Sequence, residues 1–393
     1  MNNVSFIKQL GGVSIIAGTA IGAGMLGIPF AVAAVGFKIS VLLLLAVWMI
    51  MYSTAMLLVE INTSQPLGVD MDSMAYNLLG KYGKFFNLTF YLLLLYSLLT
   101  AYIFMGGGLF SEYLLKPIGL DTSNLAKVLF CVIFGYCIFM GTKATFYVNK
   151  FFLFLKISAF VLFVSFAAKS VNTSLLESNN LGCKYMLFAI PILVTSFGFH
   201  IVIPSIRNYY RNDVVFKKVV LIGAVTPLLV YLIWVFVTLG SISLYGENGF
   251  ISLMNNGHSL ANGYSNSDAS LIQLLIKFFE NFAIITSFLG VALALFSFNR
   301  DLYSINSERL IKRLVVLLIT LLPPLFFAMF FVNSFISALG YASIFVSLLL
   351  IIQPVMMAWS LRNARKQNTF SSKVYLSIIF TSGILIVILQ LLA

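Results

Sequence analysis

The chain has 393 residues, of which 61% are hydrophobic and only 9% are charged. Because soluble domains carry about 25% charged residues, this composition excludes a soluble globular protein and predicts repeated membrane crossing. The net charge of +12 does not indicate nucleic-acid binding, since Lys and Arg accumulate in the cytoplasmic loops of membrane proteins. The three cysteines show no metal-ligand spacing, and we expect neither a metal site nor a cofactor.

A membrane-spanning helix needs about 20 predominantly apolar residues, and eleven segments of the chain meet this requirement. They lie at about 10–36, 38–60, 84–114, 123–142, 149–169, 182–205, 218–241, 269–299, 312–332, 334–359 and 373–392. With the N-terminus in the cytoplasm, 18 of the 24 Lys and Arg residues fall on the cytoplasmic side. We therefore predict an all-α protein with eleven transmembrane helices, a cytoplasmic N-terminus and a periplasmic C-terminus.

The first span contains an unusual density of glycine. The stretch Gly11–Pro29 reads GGVSIIAGTAIGAGMLGIP, and each glycine inside a helix costs about 1 kcal/mol relative to alanine. Unwound backbone is tolerated at membrane depth only where it is buried in protein or lines a cavity. The pattern therefore predicts a broken helix that forms part of a ligand site.

The sixth span carries a second interruption. Residues 190–204 read IPILVTSFGFHIVIP, and proline removes a helical hydrogen bond and clashes with the preceding turn. The first and sixth spans cross the membrane in opposite directions. Corresponding interruptions in two such spans are typical of a transporter built from inverted repeats. We assign repeat one to about 10–169, repeat two to about 182–359, and an additional span to about 373–392, all within one transporter domain.

Four segments carry a resemblance to a known family: GTAIGAGMLGIPFAVAAVGF, IPILVTSFGFHIVIPSI, TSFLGVALALF and LPPLFFAMF. They resemble the hydroxy/aromatic amino acid permeases of the amino acid–polyamine–organocation superfamily, and most closely the tyrosine-transporting members. The resemblance covers essentially the whole chain. It implies a LeuT-like fold of five plus five spans, a location in the bacterial inner membrane, and proton-coupled uptake (symport) of an aromatic amino acid, tyrosine above all.

The two breaks predict how a zwitterion is held. Backbone N–H groups at the start of the second half-helix, near Ala23–Met25, would hold the carboxylate. Carbonyl groups of the unwound turns would accept from the amino group, and two phenylalanines are candidates for the pocket wall. The expected substrate-binding residues are Thr19, Ala20, Gly22, Ala23, Gly24, Met25, Ser196, Phe197, Gly198 and Phe199.

The glycines admit two other interpretations. Residues 22–27 match G-x-G-x-x-G, but a dinucleotide site needs a preceding strand and a βαβ unit, which a membrane span cannot supply. Small residues four apart, such as Gly18 and Gly22, also let helices pack closely. Packing explains some of these glycines, but it does not explain their density in a span that is matched by a second broken span.

Two intramembrane ionisable residues are candidates for ion coupling. Lys156 lies about seven residues into the fifth span; it either snorkels to the headgroups or stays buried, where its charged form is disfavoured and it can release a proton. His200 lies in the second break, either satisfied by a neighbouring group or functional. We predict proton coupling with Lys156 as the carrier and His200 second.

Resemblance also points to a site that holds sodium in relatives with the LeuT-like fold. Thr286 and Ser287 match a Thr/Ser pair that binds the sodium ion in those relatives. Two carbonyl groups of the first span bind the same ion, and in this sequence they would be those of Gly18 and Ile21. In some proton-coupled permeases of the superfamily a lysine of the fifth span takes the place of that ion, and Lys156 resembles it. Sodium coupling is the alternative.

Other functions fit the sequence less well. An enzyme needs paired carboxylates, a metal cluster or an activated nucleophile, and a channel needs pore-lining repeats or rings of charge.

The alternative substrates are tryptophan and a small hydroxy amino acid, serine or threonine. The expected partners are the amino acid, protons and the lipid bilayer, with no nucleic acid and no obligatory protein partner.

In the eighth span, Lys277 and Glu280 lie three residues apart on one helical face, and this spacing predicts a structural ion pair or an outer gate.

Overall fold

The computed structural model describes residues 6–120, 123–177, 183–210, 212–256, 258–264, 270–303, 310–332 and 335–392. Within these ranges the regular secondary structure is entirely helical. The α-helices are α1 Phe6–Ala20, α2 Gly24–Val32, α3 Phe37–Thr63, α4 Met71–Phe110, α5 Ser123–Met140, α6 Thr142–Ala167, α7 Thr173–Glu177, α8 Cys183–Ser196, α9 Ile203–Tyr209, α10 Asp213–Ser241, α11 Phe250–Asn255, α12 Ser270–Leu302, α13 Leu310–Phe330, α14 Phe335–Val346, α15 Gln353–Ala364 and α16 Phe370–Leu392.

The number of crossings agrees with the sequence. Within the described part of the chain, ten helical segments are long and apolar enough to cross a membrane, and counting the bent pair α1–α2 as one span makes eleven. The chain is therefore an integral membrane protein of α-helices. The predicted start of the second repeat, residue 182, lies outside the described residues.

The third span begins earlier than its apolar segment. Helix α4 starts at Met71, but at Gly80 its backbone leaves the helical region, with φ +71° and ψ −164°. Glycine adopts positive φ without steric cost, so this position divides the first turns of α4 from the rest of the helix. The side chain of Asn87, beyond the kink, donates a hydrogen bond to Asp72 before it, and this contact ties the two parts together.

The chain forms two compact units. The first takes the described residues within 1–91, 180–235 and 340–393, and the second takes those within 92–179 and 236–339. Each unit thus combines helices from both halves of the sequence. The proposed repeat boundaries follow chain order and remain a prediction.

The core of the first unit surrounds α2. Every residue of this helix but one is buried, and it packs against α8. In the second unit α6 packs along α12. Four phenylalanines from α4, α5 and α12 cluster there with ring centroids 5.0–6.4 Å apart. They are Phe110, Phe130, Phe134 and Phe288.

Candidate functional site

The first span is interrupted where the glycines predict it. Helix α1 ends at Ala20, α2 begins at Gly24, and the two axes are bent by 56°. Tight turns close the gap: the amide of Gly22 donates to the Ala20 carbonyl (2.8 Å) and that of Met25 to the Gly22 carbonyl (3.3 Å). Ile21 and Gly22 are half-buried, and Ala23, the N-cap of α2, is buried without a side-chain cap. One predicted carboxylate donor, the Met25 amide, is thus directed into a turn.

The last turn of α1 holds two further predicted residues. Thr19 donates its hydroxyl proton to the carbonyl of Ile15 at 2.8 Å, so its side chain stays on its own helix. Gly18 is exposed, and a Cβ built there would meet no atom within 4 Å. Within the described part of its own unit, Gly18 therefore has no close helix neighbour.

The sixth span is interrupted at the predicted position. Helix α8 ends at Ser196, residues 197–199 are non-helical, and a 3₁₀ turn at His200–Val202 leads into α9. The amide of Gly198 donates to the carbonyl of Thr195 at 3.3 Å, and a Cβ on Gly198 would lie only 3.2 Å from that oxygen. The glycine therefore permits the tight turn that ends α8.

The two interruptions lie against each other. Ser196 donates its hydroxyl proton to the carbonyl of Gly24 (3.1 Å) or of Ile192 (2.9 Å). A Cβ on Gly24 would lie 3.4 Å from the Ser196 hydroxyl oxygen and 3.5 Å from its Cα. A Cβ at Gly24 would thus be in ordinary van der Waals contact with Ser196, and a longer side chain would meet the end of α8.

Helix α10 contributes two side chains whose contacts the sequence did not reveal. The hydroxyl oxygen of Tyr231 lies 2.6 Å from the carbonyl oxygen of Ala20 and 2.7 Å from that of Ser196. The indole Nε1–H of Trp234 donates to the carbonyl of Met25 at 3.0 Å. Both side chains are fully buried. The only available signal was a tyrosine and a tryptophan three apart in an apolar span, which many packed helices share.

The predicted pocket phenylalanines are both fully buried. The ring of Phe197 packs edge-on against Tyr231, with centroids 5.0 Å apart, and that of Phe199 stacks on His200 at 5.0 Å. The Nε2 of His200 lies 2.8 Å from the Thr54 hydroxyl oxygen. Thr54 itself donates to the carbonyl of Met51 at 3.0 Å, so its oxygen accepts from the histidine. Thr54 therefore satisfies one ring nitrogen of His200, whereas its Nδ1 is buried with no hydrogen-bond partner among the described residues.

In the second unit, Lys156 on α6 is buried, with 4% of its surface exposed. Its ammonium nitrogen lies 3.4 Å from the hydroxyl oxygen of Thr286 on α12. Thr286 donates its own proton to the carbonyl of Phe282 (2.8 Å) or Ala283 (3.1 Å), which leaves its oxygen to accept from the lysine. The snorkelling interpretation does not fit a buried side chain. Ser287, the other member of the predicted pair, follows Thr286 on the same helix.

Lys277 and Glu280 have different partners. The carboxylate of Glu280, 1% exposed, accepts the backbone N–H of Leu260 at 3.0 Å, while the ammonium of Lys277 lies 5.1 Å above the ring of Tyr113. Among the described residues, no group of three or more His, Cys, Asp or Glu side chains is arranged to hold a metal ion.

Comparison with known proteins assigns this arrangement to a family. Residues 7–390 match the tryptophan/tyrosine permease family. The chain belongs to this family. Three relatives from Haemophilus influenzae illustrate the similarity. Tyrosine-specific transport system 1 is 30% identical over 96% of this chain and 95% of that protein. Tyrosine-specific transport system 2 is 33% identical over 90% of this chain and 88% of that protein. The tryptophan-specific transport protein is 31% identical over 97% of this chain and 95% of that protein.

Membership of the permease family decides the class of function. The relatives are named for transport, not for an enzymatic reaction. This permease is accordingly a membrane transporter of the aromatic amino acid permease family, and its substrate is an amino acid.

Proposed function

We propose that this permease is a proton-coupled symporter that carries an aromatic amino acid, tyrosine first, across the bacterial inner membrane into the cell. The observation that carries the proposal is the meeting of two interrupted helices, joined by the hydrogen bond from Ser196 to the carbonyl of Gly24. Backbone groups at such breaks are buried and lie next to a ligand in membrane transporters. The family supports the aromatic class of substrate.

The proposed architecture is a LeuT-like fold of five plus five spans, with α16 as the additional one. It is supported by interruptions in the first and sixth spans and by eleven segments able to cross the membrane. In this arrangement the N-terminus is cytoplasmic and the C-terminus periplasmic, as the distribution of Lys and Arg favours.

The substrate site lies at the two breaks. The carboxylate binds at the N-terminal end of α2, at the amides of Ala23 and Gly24, where the helix dipole favours a negative group. The amino group binds at the carbonyls that end α1 and α8. The aromatic side chain extends towards Phe197 and Phe199, which are already packed on other rings.

Coupling to protons follows from Lys156. Its ammonium group lies beside the Thr286 hydroxyl, the group that a sodium ion would use at this position. Two cations cannot share the same few oxygens, so the lysine excludes sodium while it is charged. Release of the Lys156 proton in one state of the transport cycle and its return in another couple proton flow to uptake. His200 is the second candidate, because Thr54 already satisfies one of its nitrogens.

Tryptophan is the second candidate substrate, because two of the three Haemophilus influenzae relatives are named for tyrosine transport and the third for tryptophan transport. Selectivity between the two depends on pocket volume and on one or two polar contacts, and a pocket that hydrogen-bonds a substrate hydroxyl discriminates strongly against analogues without it.

The test is the uptake of external radiolabelled tyrosine into proteoliposomes that contain the purified permease. An inward proton gradient should drive accumulation above the outside concentration, and a sodium gradient alone should not. Unlabelled tyrosine should compete best, tryptophan and phenylalanine less, and serine least. Accumulation driven by sodium would refute the coupling, and stronger competition by tryptophan or serine would reassign the substrate.

A further inference from the structure

We propose that a cavity at one end of the first unit binds the head group of an anionic phospholipid. The cavity has a volume of about 340 Å³ and is lined by residues of four helices. These residues are Met56, Leu57, Glu60 and Thr63 of α3, Lys217 of α10, Arg362 of α15 and Tyr375 of α16. None of these seven belongs to the two helix interruptions, so the lipid site is separate from the proposed substrate site.

The position of the cavity is that of lipid head groups. Thr63 is the last residue of α3 and Arg362 lies in the last turn of α15, whereas Lys217 and Tyr375 lie in the first two turns of α10 and α16. All four helices belong to segments long and apolar enough to cross a membrane. The ends of such segments lie in the polar interface of the bilayer, and the proposed topology places these ends on the cytoplasmic side.

One wall of the cavity is an ion pair that joins α3 to α15. The Nε–H of Arg362 donates to one carboxylate oxygen of Glu60 at 3.0 Å, and a second guanidinium nitrogen donates to the other oxygen. A third N–H donates to the hydroxyl oxygen of Ser372 on α16 at 2.8 Å. Arginine carries five N–H donors. These contacts therefore fix the guanidinium group in place and leave it two N–H groups for a ligand.

The charge of the cavity matches one phosphodiester group. Glu60 balances Arg362, and the ion pairs among the described residues do not include Lys217, so the lining side chains carry one net positive charge. Lysine and arginine both bind phosphate oxygens, and the exposed hydroxyl of Tyr375 can donate to one as well. Basic pockets between transmembrane helices on the cytoplasmic side bind acidic head groups.

The apolar part of the cavity favours a lipid over a soluble phosphate. Its wall contains Met56 and the ring of Tyr375. Exposed apolar side chains continue from each towards the middle of the membrane: Met49 and Leu42 follow Met56 at intervals of seven residues on one face of α3, and Ile378 lies one turn beyond Tyr375 on α16. A phospholipid whose head group fills the cavity can lay its acyl chains along these side chains.

The test compares two lipids with the same acyl chains. Binding of dioleoylphosphatidylglycerol, which is anionic, and of dioleoylphosphatidylcholine, which has no net charge, is measured by native mass spectrometry of the purified permease in detergent. The unmodified permease should bind phosphatidylglycerol more tightly. Lys217→Ala should weaken that binding about fivefold, the effect of one lysine at a membrane surface, and should leave phosphatidylcholine binding unchanged. Equal affinity of the unmodified permease for the two lipids would refute the proposal without any variant.

Lys218→Ala is the matched control. Lys218 is the next residue on α10 and is exposed like Lys217, but it does not line the cavity. This variant should bind phosphatidylglycerol as the unmodified permease does. Lys217→Arg, which keeps the positive charge, should also retain most of the affinity. If Lys217→Ala and Lys218→Ala weaken binding equally, the lipid senses only the general positive charge of this end and the proposal is wrong.

Two other occupants are tested on the unmodified permease. Glycerol 1-phosphate has the phosphate of the head group but no acyl chains, and at equal concentration it should not displace phosphatidylglycerol. Displacement would show a site for a soluble phosphate and overturn the proposal. Dioleoylphosphatidylethanolamine adds an ammonium group that Glu60 could accept. Affinity equal to that of phosphatidylglycerol would show that the cavity recognises a zwitterionic head group, which also overturns the proposal.

The lipid site and the proposed function can fail separately. Lipid binding is measured without transport, so failure of tyrosine uptake does not refute the lipid site. Conversely, loss of the preference for phosphatidylglycerol leaves the substrate and its coupling ion untouched.

Discussion

At the scale of single residues, Gly24 and Lys156 belong to two separate proposals, one for substrate binding and one for ion coupling. Gly24 lacks the side chain that would meet Ser196, and Lys156 buries an ammonium group beside one hydroxyl. Local preferences made both positions visible in the sequence, since glycine in a helix and a charge in a membrane are each costly. Tyr231 was not visible, because its partners lie 211 and 35 residues away.

Gly24→Leu should abolish uptake while the protein remains in the membrane. A Cβ at this position already lies 3.4–3.5 Å from Ser196, and the larger side chain must push α8 away from the start of α2. Gly24→Ala should keep part of the activity, since these distances are close to ordinary contact. Gly11→Leu is the control, because a Cβ there meets nothing within 4 Å. Normal uptake by Gly24→Leu would remove the basis for placing substrate at the breaks.

Lys156→Ala should lose accumulation driven by a proton gradient, because no group remains beside Thr286 to bind and release the proton. Exchange of internal for external amino acid, which needs no net proton movement, should persist. Lys150→Ala, an exposed lysine on the same helix, should behave as the unmodified protein. Full proton-driven accumulation by Lys156→Ala, measured in proteoliposomes, would move the role to His200 or elsewhere.

At the scale of elements, composition predicted where helices break but spacing did not predict which side chains meet. Lys277 and Glu280 have the spacing of a helical ion pair, yet each finds a partner from another segment. Side chains three apart can pair, but a buried carboxylate also needs the backbone donors that only tertiary packing provides. The kink at Gly80 could not be predicted from the apolar pattern either. That pattern shows where a membrane segment lies, but it does not show that a helix continues from the segment before it.

Glu280 should act as an anchor for the segment that begins at Leu260. Glu280→Ala removes the acceptor of the Leu260 N–H, so a buried donor is left unsatisfied, which costs about 1–3 kcal/mol. The apparent Tm of the purified permease should fall by several degrees, on the order expected for that loss. Glu280→Gln keeps a carbonyl oxygen in place and should stay close to the unmodified Tm. Equal destabilisation by both variants would show that the negative charge, and not the hydrogen bond, matters.

At the scale of the whole molecule, the number of crossings could be counted from apolar length, whereas the division into two units could not. Each unit combines residues from distant parts of the chain, and hydropathy carries no information on which helices become neighbours. In lipid, helices associate through close packing and specific polar contacts rather than through hydrophobicity. The contacts of Ser196 with Gly24 and of Trp234 with Met25 are of this kind, and they appear only once the helices are placed.

The orientation of the whole chain is the last prediction. The excess of Lys and Arg on one side favours a cytoplasmic N-terminus, and eleven crossings from there would place the C-terminus in the periplasm. A reporter that fluoresces only in the cytoplasm should be dark when fused after residue 392. The same reporter fused after residue 366, in the basic segment between α15 and α16, should be bright. Fluorescence from both fusions would show that α16 does not cross the membrane. A dark fusion at 366 with a bright fusion at the C-terminus would show that the orientation is inverted.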